Sequence, residues 1–212
     1  MREIDLGTWP RRMHFETFRG WANPWFDVCA PVDVTALVPA VREAGAPFTA
    51  AVTYLVTRTA NDMPEFRWRM RGETVVEHDV VHPGGTILVD DDLFSFCYFD
   101  YTEDFAAFAR HYGEEVAAVR VAPTLEDEPG RDDLLFMTAI PWVSFTSFAH
   151  PVPALPPDCI PRFAWGRHFR DDGRVLMPLS VQGHHALMDG LHVGRYFERF
   201  QQYVADPAGW LG

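Results

Sequence analysis

The 212 residues suffice for one sizeable core, and 48% hydrophobic with 14% aromatic content suits a packed globular chain. A formal net charge of −12 argues against nucleic acid or an anionic membrane surface as partner. No apolar run approaches the length of a bilayer span, and Met1 to Asp5 lacks the apolar core of a signal peptide, so a cytoplasmic, single-domain chain over 1–212 is expected.

In chain order, Pro10 to Gly20 predicts a short helix and Trp25 to Val32 a strand. Asp33 or Thr35 is placed to cap a helix running to Ala44 and ended by Gly45. Phe48 to Asn61 is β-branched, but its length predicts a buried helix. Phe66 to Met70 and Thr74 to Val80 predict a hairpin. Thr86 to Val89 and Phe94 to Phe99 predict a second one, turned at Asp90-Asp91-Asp92.

Glu103 to Val119 carries apolar residues at helical spacing, and the acidic stretch Ala122 to Asp133 predicts an exposed loop. Leu134 to Ile140 and Val143 to Phe148 predict strands interrupted at Pro141, and Pro151 to Pro161 predicts irregular chain. Arg162 to Phe169 and Arg174 to Val181 predict a hairpin across Asp171-Asp172-Gly173. Leu191 to Val204 predicts the last helix. Helices interspersed with hairpins predict an α/β (α+β) chain with a mixed sheet.

Cys29, Cys97 and Cys159 match no zinc or redox spacing and read as free thiols of a reducing compartment. All 18 basic residues are arginine, so any side-chain cation that meets a phosphate is a guanidinium.

The chemistry concentrates at Gln182-Gly183-His184-His185-Ala186-Leu187-Met188-Asp189-Gly190, between a buried strand and the last helix. Histidine is suited to proton transfer near neutral pH, and a carboxylate four residues on can orient it. Gly190 would allow a tight turn before the helix. The alternatives are a core histidine at a strand end and an aspartate favoured simply by a helix N-terminus. A zinc site from His184, His185, Asp189 and His192 is a third reading, though no H-E-x-x-H is present.

The H-H-x-x-x-D-G stretch resembles the active-site signature of the chloramphenicol acetyltransferases, a pattern shared with dihydrolipoyl acyltransferase catalytic domains and condensation domains. Pro141 to Phe148 and Trp9 to Glu16 resemble the classical chloramphenicol acetyltransferases in the same order. The resemblance implies a two-layer sandwich, a large mixed β-sheet covered by helices, of the CoA-dependent acyltransferase fold. It also implies a homotrimer with active sites at subunit interfaces, and acetyl transfer from acetyl-CoA, a co-substrate, to a small-molecule alcohol without a metal.

Residue by residue, it implies His185 as general base, Thr138 as oxyanion donor in place of a serine, and Asp189 paired with Arg11 as a brace. For Thr138, strand packing is the alternative reading. Phe18, Phe26, Phe94 and Phe148 would line the acceptor site. Arg167 would meet a CoA phosphate, with Pro47 and Thr49 at two further cofactor-side positions. Arg162, Ala164, His150 and Phe96 depart from the classical pattern, and an Arg162 in the acceptor pocket must be paired or hydrated. The activity implied is chloramphenicol O-acetylation, an antibiotic-resistance reaction; the same chemistry on another small alcohol, or a non-catalytic trimeric ligand-binding homologue, are the alternatives.

Overall fold

A computed structural model describes residues 1–90, 92–128, 130–153 and 158–211. Asp91 in the expected second hairpin turn, Pro129 in the acidic loop and residues 154–157 in the proline-rich stretch lie outside the described residues.

The elements run β1 (Arg2–Glu3), α1 (Arg12–Phe18), β2 (Trp25–Asp33), α2 (Leu37–Glu43), α3 (Phe48–Asn61), α4 (Pro64–Arg67), β3 (Trp68–Arg71) and β4 (Thr74–Glu77). They continue with β5 (His82–Asp90), β6 (Leu93–Tyr98), α5 (Phe105–Val121), β7 (Leu134–Ile140), β8 (Arg162–Gly166), β9 (Phe169–Asp171), β10 (Arg174–His184), α6 (Gly190–Ala205) and α7 (Ala208–Leu211). The large sheet has the order β2-β10-β8-β7-β5-β6, with β9 also paired to β10. It is mixed: β5–β7 and β7–β8 are parallel, and the other pairings are antiparallel. A small antiparallel sheet, β1-β4-β3, stands apart from it.

One face of the large sheet packs against α3, α5 and α6 and carries Met137, Phe163, Leu179 and Val181 into the main core. Helix α3 is an interior element with ten buried residues, which explains its all-round apolar sequence. Two of its buried hydroxyls are satisfied within the helix, Thr57 Oγ1 donating to Thr53 O and Thr59 Oγ1 to Leu55 O, while the Tyr54 hydroxyl donates to Glu103 O. The Tyr196 hydroxyl donates to Val56 O at 2.9 Å, tying α6 to α3. Among the described residues, no helix is long and apolar enough to cross a membrane.

Four expectations change. Val143 to Phe148 forms no strand. Strand β8 already pairs with β10 and β7, so no free edge remains there, and the segment is fastened over the sheet face instead, where Ser180 Oγ donates to Phe148 O. Strand β5 starts at His82 rather than Thr86, taking in Gly84, where a side chain would meet the Tyr98 ring at 2.8 Å. Asp33 and Thr35 do not cap α2. Asp33 accepts from Thr35 N–H, and Thr35 Oγ1 accepts from Val175 N–H, fastening β10. Residues 66 and 67 belong to the one-turn helix α4.

Candidate active site

Strand β10 lies between β2 and β8 and is buried from Leu176 through His184, which accounts for its largely apolar sequence. It ends in a tight loop: Leu187 N–H and Met188 N–H both donate to His184 O. Gly183 is required by close approach, since a Cβ there would lie 2.5 Å from Met188 Sδ. Gly190, by contrast, has no positive φ and open space around it; it is simply the first residue of α6.

Asp189 caps α6. Its side chain accepts from Leu191 N–H, and His192 Nδ1 accepts from Asp189 N–H, completing a capping box. Arg11, only 8% exposed, holds this loop at three points. Its Nη1 donates to Asp189 Oδ2 at 2.7 Å, Nη2 to His185 O at 2.9 Å and Nε to Ala186 O at 3.3 Å. Partial burial tends to raise the Asp189 carboxyl, but the Arg11 hydrogen bond, His192 and the Leu191 N–H outweigh it and bring it down to about 2.

Between its two fastenings, the Arg11 bond to its carbonyl and its own N–H to Pro24 O at 2.8 Å, His185 presents its ring to two phenylalanines. Phe18 stacks on it at 4.3 Å with planes 5° apart, and Phe26 lies at 5.0 Å, tilted 44°. His185 Nδ1 is buried without a hydrogen-bond partner. The three residues expected to work together here do meet.

Thr138, Phe94 and Phe148 lie elsewhere on the same chain. Thr138 sits on β7, half-buried, its Oγ1 3.3 Å from Thr86 Oγ1. The register runs from Thr138 to Ala164 on β8 and on to Ser180 on β10. His185 is two strands across and five residues along from Thr138, roughly 20 Å away. Phe94 is on β6, 49% exposed, and shares the sheet face with Phe96 and Thr86. Phe148 packs on Phe145 and His150 beside Ser180.

Arg162 is 3% exposed and fully paired. It grips Asp158 with two bonds of 3.0 and 2.6 Å, donates to Ile160 O, and lies over the rings of Trp25 and Phe136. Sequence reading missed Asp158, although its position four residues before Arg162 was the available signal. It also missed Glu65, which lies 3.6 Å from His192 Nε2. His150 is held between Phe163 O and Gln182, and burial pushes its pKa down to about 4. His184 is likewise brought to about 4 by burial, and its Nδ1 accepts from Ala186 N–H. The zinc reading loses its ligands: His184 and His192 spend their Nδ1 lone pairs on backbone N–H groups. Among the described residues, no metal-binding group of three His, Cys, Asp or Glu side chains forms.

The Arg167 side chain is exposed and makes no hydrogen bond or ion pair among the described residues. Its backbone is anchored to Val143 O and by Ser144 Oγ. The neighbouring His168 packs edge-on against Phe48, the first residue of α3, at 5.7 Å.

The chloramphenicol acetyltransferase family pattern matches residues 1–201. A chloramphenicol acetyltransferase of Klebsiella sp is 34% identical over 210 residues, covering 99% of this chain and 94% of the relative. A solved chloramphenicol acetyltransferase structure superposes with a TM-score of 0.83 at 25% identity, covering 96% of this chain and 100% of that one. The dihydrolipoamide acetyltransferase of Azotobacter vinelandii shares the fold with a TM-score of 0.71 at 17% identity, covering 94% of this chain and 88% of that one. The mixed sheet and its helical layer are therefore the CoA-dependent acyltransferase fold, and the chain belongs to the chloramphenicol acetyltransferase family.

Proposed function

We propose that this chain transfers the acetyl group of acetyl-CoA to a hydroxyl of chloramphenicol, inactivating the antibiotic. The observation that carries the proposal is the His185 ring, stacked on Phe18 with its loop held by Arg11. Nδ1 is buried, which leaves Nε2 as the nitrogen that meets the acceptor hydroxyl. Nε2 takes the hydroxyl proton as the oxygen attacks the thioester carbonyl in a ternary complex, with no acyl-enzyme. The tetrahedral oxyanion accepts a hydrogen bond from Thr138 Oγ1. Collapse expels the CoA thiolate, which recovers the proton from His185. Asp189 moves no proton; with Arg11 it fixes the loop.

The separation of roughly 20 Å between Thr138 and His185 supports a site assembled from two copies of the chain, as in a homotrimer. His185, Phe18 and Phe26 come from one copy. Thr138, Phe94 and Phe148 come from the next. The acyl donor enters from the Arg167 side. Thr49 at the start of α3 and Thr86, the neighbour of Thr138, line one small cavity with Gly85, Ala139 and Trp165, which supports that side for the acyl donor. Arg167 meets a phosphate of CoA. The enzyme acts as one domain in the cytoplasm, where acetyl-CoA is available. The family match favours chloramphenicol over other alcohols and over a non-catalytic ligand-binding role.

The test is thiol release from acetyl-CoA with chloramphenicol as acceptor. His185→Ala should lose about 10²–10⁴-fold in turnover with unchanged thermal unfolding. A His185→Ala protein that still turns over at the native rate would overturn the assignment.

A further inference from the structure

The Thr138 hydroxyl has one hydrogen-bond partner among the described residues, the Thr86 hydroxyl, with 3.3 Å between the two oxygens. Both side chains are half-buried. They stand in a row that crosses the large sheet. Thr86 on β5 pairs with Phe96 on β6. The parallel β5–β7 register, with Gly85 opposite Met137, sets Thr86 beside Thr138. Thr138 pairs in turn with Ala164 on β8, and Ala164 with Ser180 on β10.

Phe96 and Ala164 bring no polar side-chain group to that row. The Ser180 hydroxyl is committed to Phe148 O, to which it donates at 2.8 Å. Along the row, Thr86 alone is left to set the direction of the Thr138 hydroxyl hydrogen.

A threonine hydroxyl has one hydrogen and two acceptor lone pairs, so the bond between the pair can run either way. If Thr138 donates to Thr86, its only hydrogen is used, and it has nothing to offer a developing oxyanion. If Thr86 donates to Thr138, the Thr138 hydrogen is free to point away from β5. The second direction also strengthens the outgoing bond, because a hydroxyl that accepts a hydrogen bond is polarised into a better donor. Both hydroxyls keep their hydrogens throughout, so no proton changes owner. Packing is the competing account of Thr86, since a β-branched residue suits a strand. Valine would then serve in its place equally well.

We propose that Thr86 is a positioning residue for the oxyanion. It donates to Thr138 Oγ1 and thereby keeps the Thr138 hydrogen directed at the tetrahedral intermediate. The proposal rests on the acetyl-transfer reading, with Thr138 as the oxyanion donor. Thr86 acts through Thr138 rather than on either substrate.

The experiment measures thiol release from acetyl-CoA with chloramphenicol, with kcat and both KM values determined separately. The proteins are the native chain, Thr86→Val, Thr86→Ser, Thr138→Val and the double variant with valine at both positions. Thermal unfolding verifies that each folds, and Thr86→Ala replaces Thr86→Val if the valine protein does not. Thr86→Val should lower kcat about tenfold with both KM values unchanged. Thr86→Ser should recover most of that loss. In the Thr138→Val background the second valine should cost nothing further, because the hydroxyl it orients is gone. Native kcat in Thr86→Val, a change confined to KM, or an undiminished loss in the double variant would each overturn the proposal while leaving acetyl transfer standing. Native kcat in Thr138→Val would remove Thr138 as the oxyanion donor, and the role of Thr86 with it. No thiol release by the native protein would remove the acetyl-transfer reading and this proposal together.

Discussion

Replacing Arg11 with alanine removes one buried guanidinium and five fixed relationships with it. Three are direct: the Asp189 carboxylate and the carbonyls of His185 and Ala186 lose their donor. Two follow: the Asp189 cap on α6 and the aim of the His185 ring depend on that loop. Breaking a buried pair costs about 3–5 kcal/mol. Asp189 keeps 30% side-chain exposure, so water recovers part of that, and about 3 kcal/mol is the working magnitude. In a chain of this size that lowers the unfolding midpoint by about 6–12 °C. Thermal unfolding and thiol-release kinetics on one preparation measure both consequences. Asp189→Ala should do the same, and the double variant should lose less than the two single losses combined.

The sign of the pH effect provides a second reading of the same pair. The folded Asp189 pKa lies below the unfolded value, so its contribution is present above about pH 4 and is lost as pH falls toward 2. Arg11→Ala should flatten stability across that window. An Arg11→Ala protein with native midpoint and native turnover would refute the brace.

Three further outcomes are expected. Thr138→Val should cut kcat by about 10²–10³-fold with an unchanged midpoint, and Thr138→Ser should retain activity; a small effect of valine would assign Thr138 to packing. Asp158→Ala strands a guanidinium at 3% exposure and should cost about 3–5 kcal/mol in denaturant unfolding, with Arg162→Met restoring much of the loss in the double variant. His150 and His184 stay neutral in the fold with pKa values of about 4, below the unfolded histidine value, so stability should fall as pH drops from about 6.5 to 4. A midpoint flat across that range would count against their burial.

Local pattern was a good guide where one element supplies its own evidence. Phe48–Asn61 is helical over the expected span because its length decided between helix and strand. Strand β10 and helix α6 bracket the histidine pair as their apolar periodicity implied. The Arg11–Asp189 pair came through likeness to a family, since nothing local links residues 178 apart. What local pattern could not supply was competition for sheet edges. Val143 to Phe148 has strand composition, but β8 has no edge left to offer it. Nor could it supply distance. Thr138 and His185 read as partners in one site, and only the strand register separates them on a single chain. The Asp158–Arg162 pair was visible as spacing yet carried no weight until burial made it obligatory.

The guanidinium that steadies the histidine loop is that of Arg11, whereas the carbonyls and carboxylate it grips are at 185, 186 and 189. During synthesis, the loop therefore has its anchor long before it exists, and can take its shape only after the 178 positions between Arg11 and Asp189 have been made. Products terminated ahead of residue 185 have an Arg11 without the groups it grips. A cut directly after Arg11 would free the loop from its brace while leaving His185 chemically untouched.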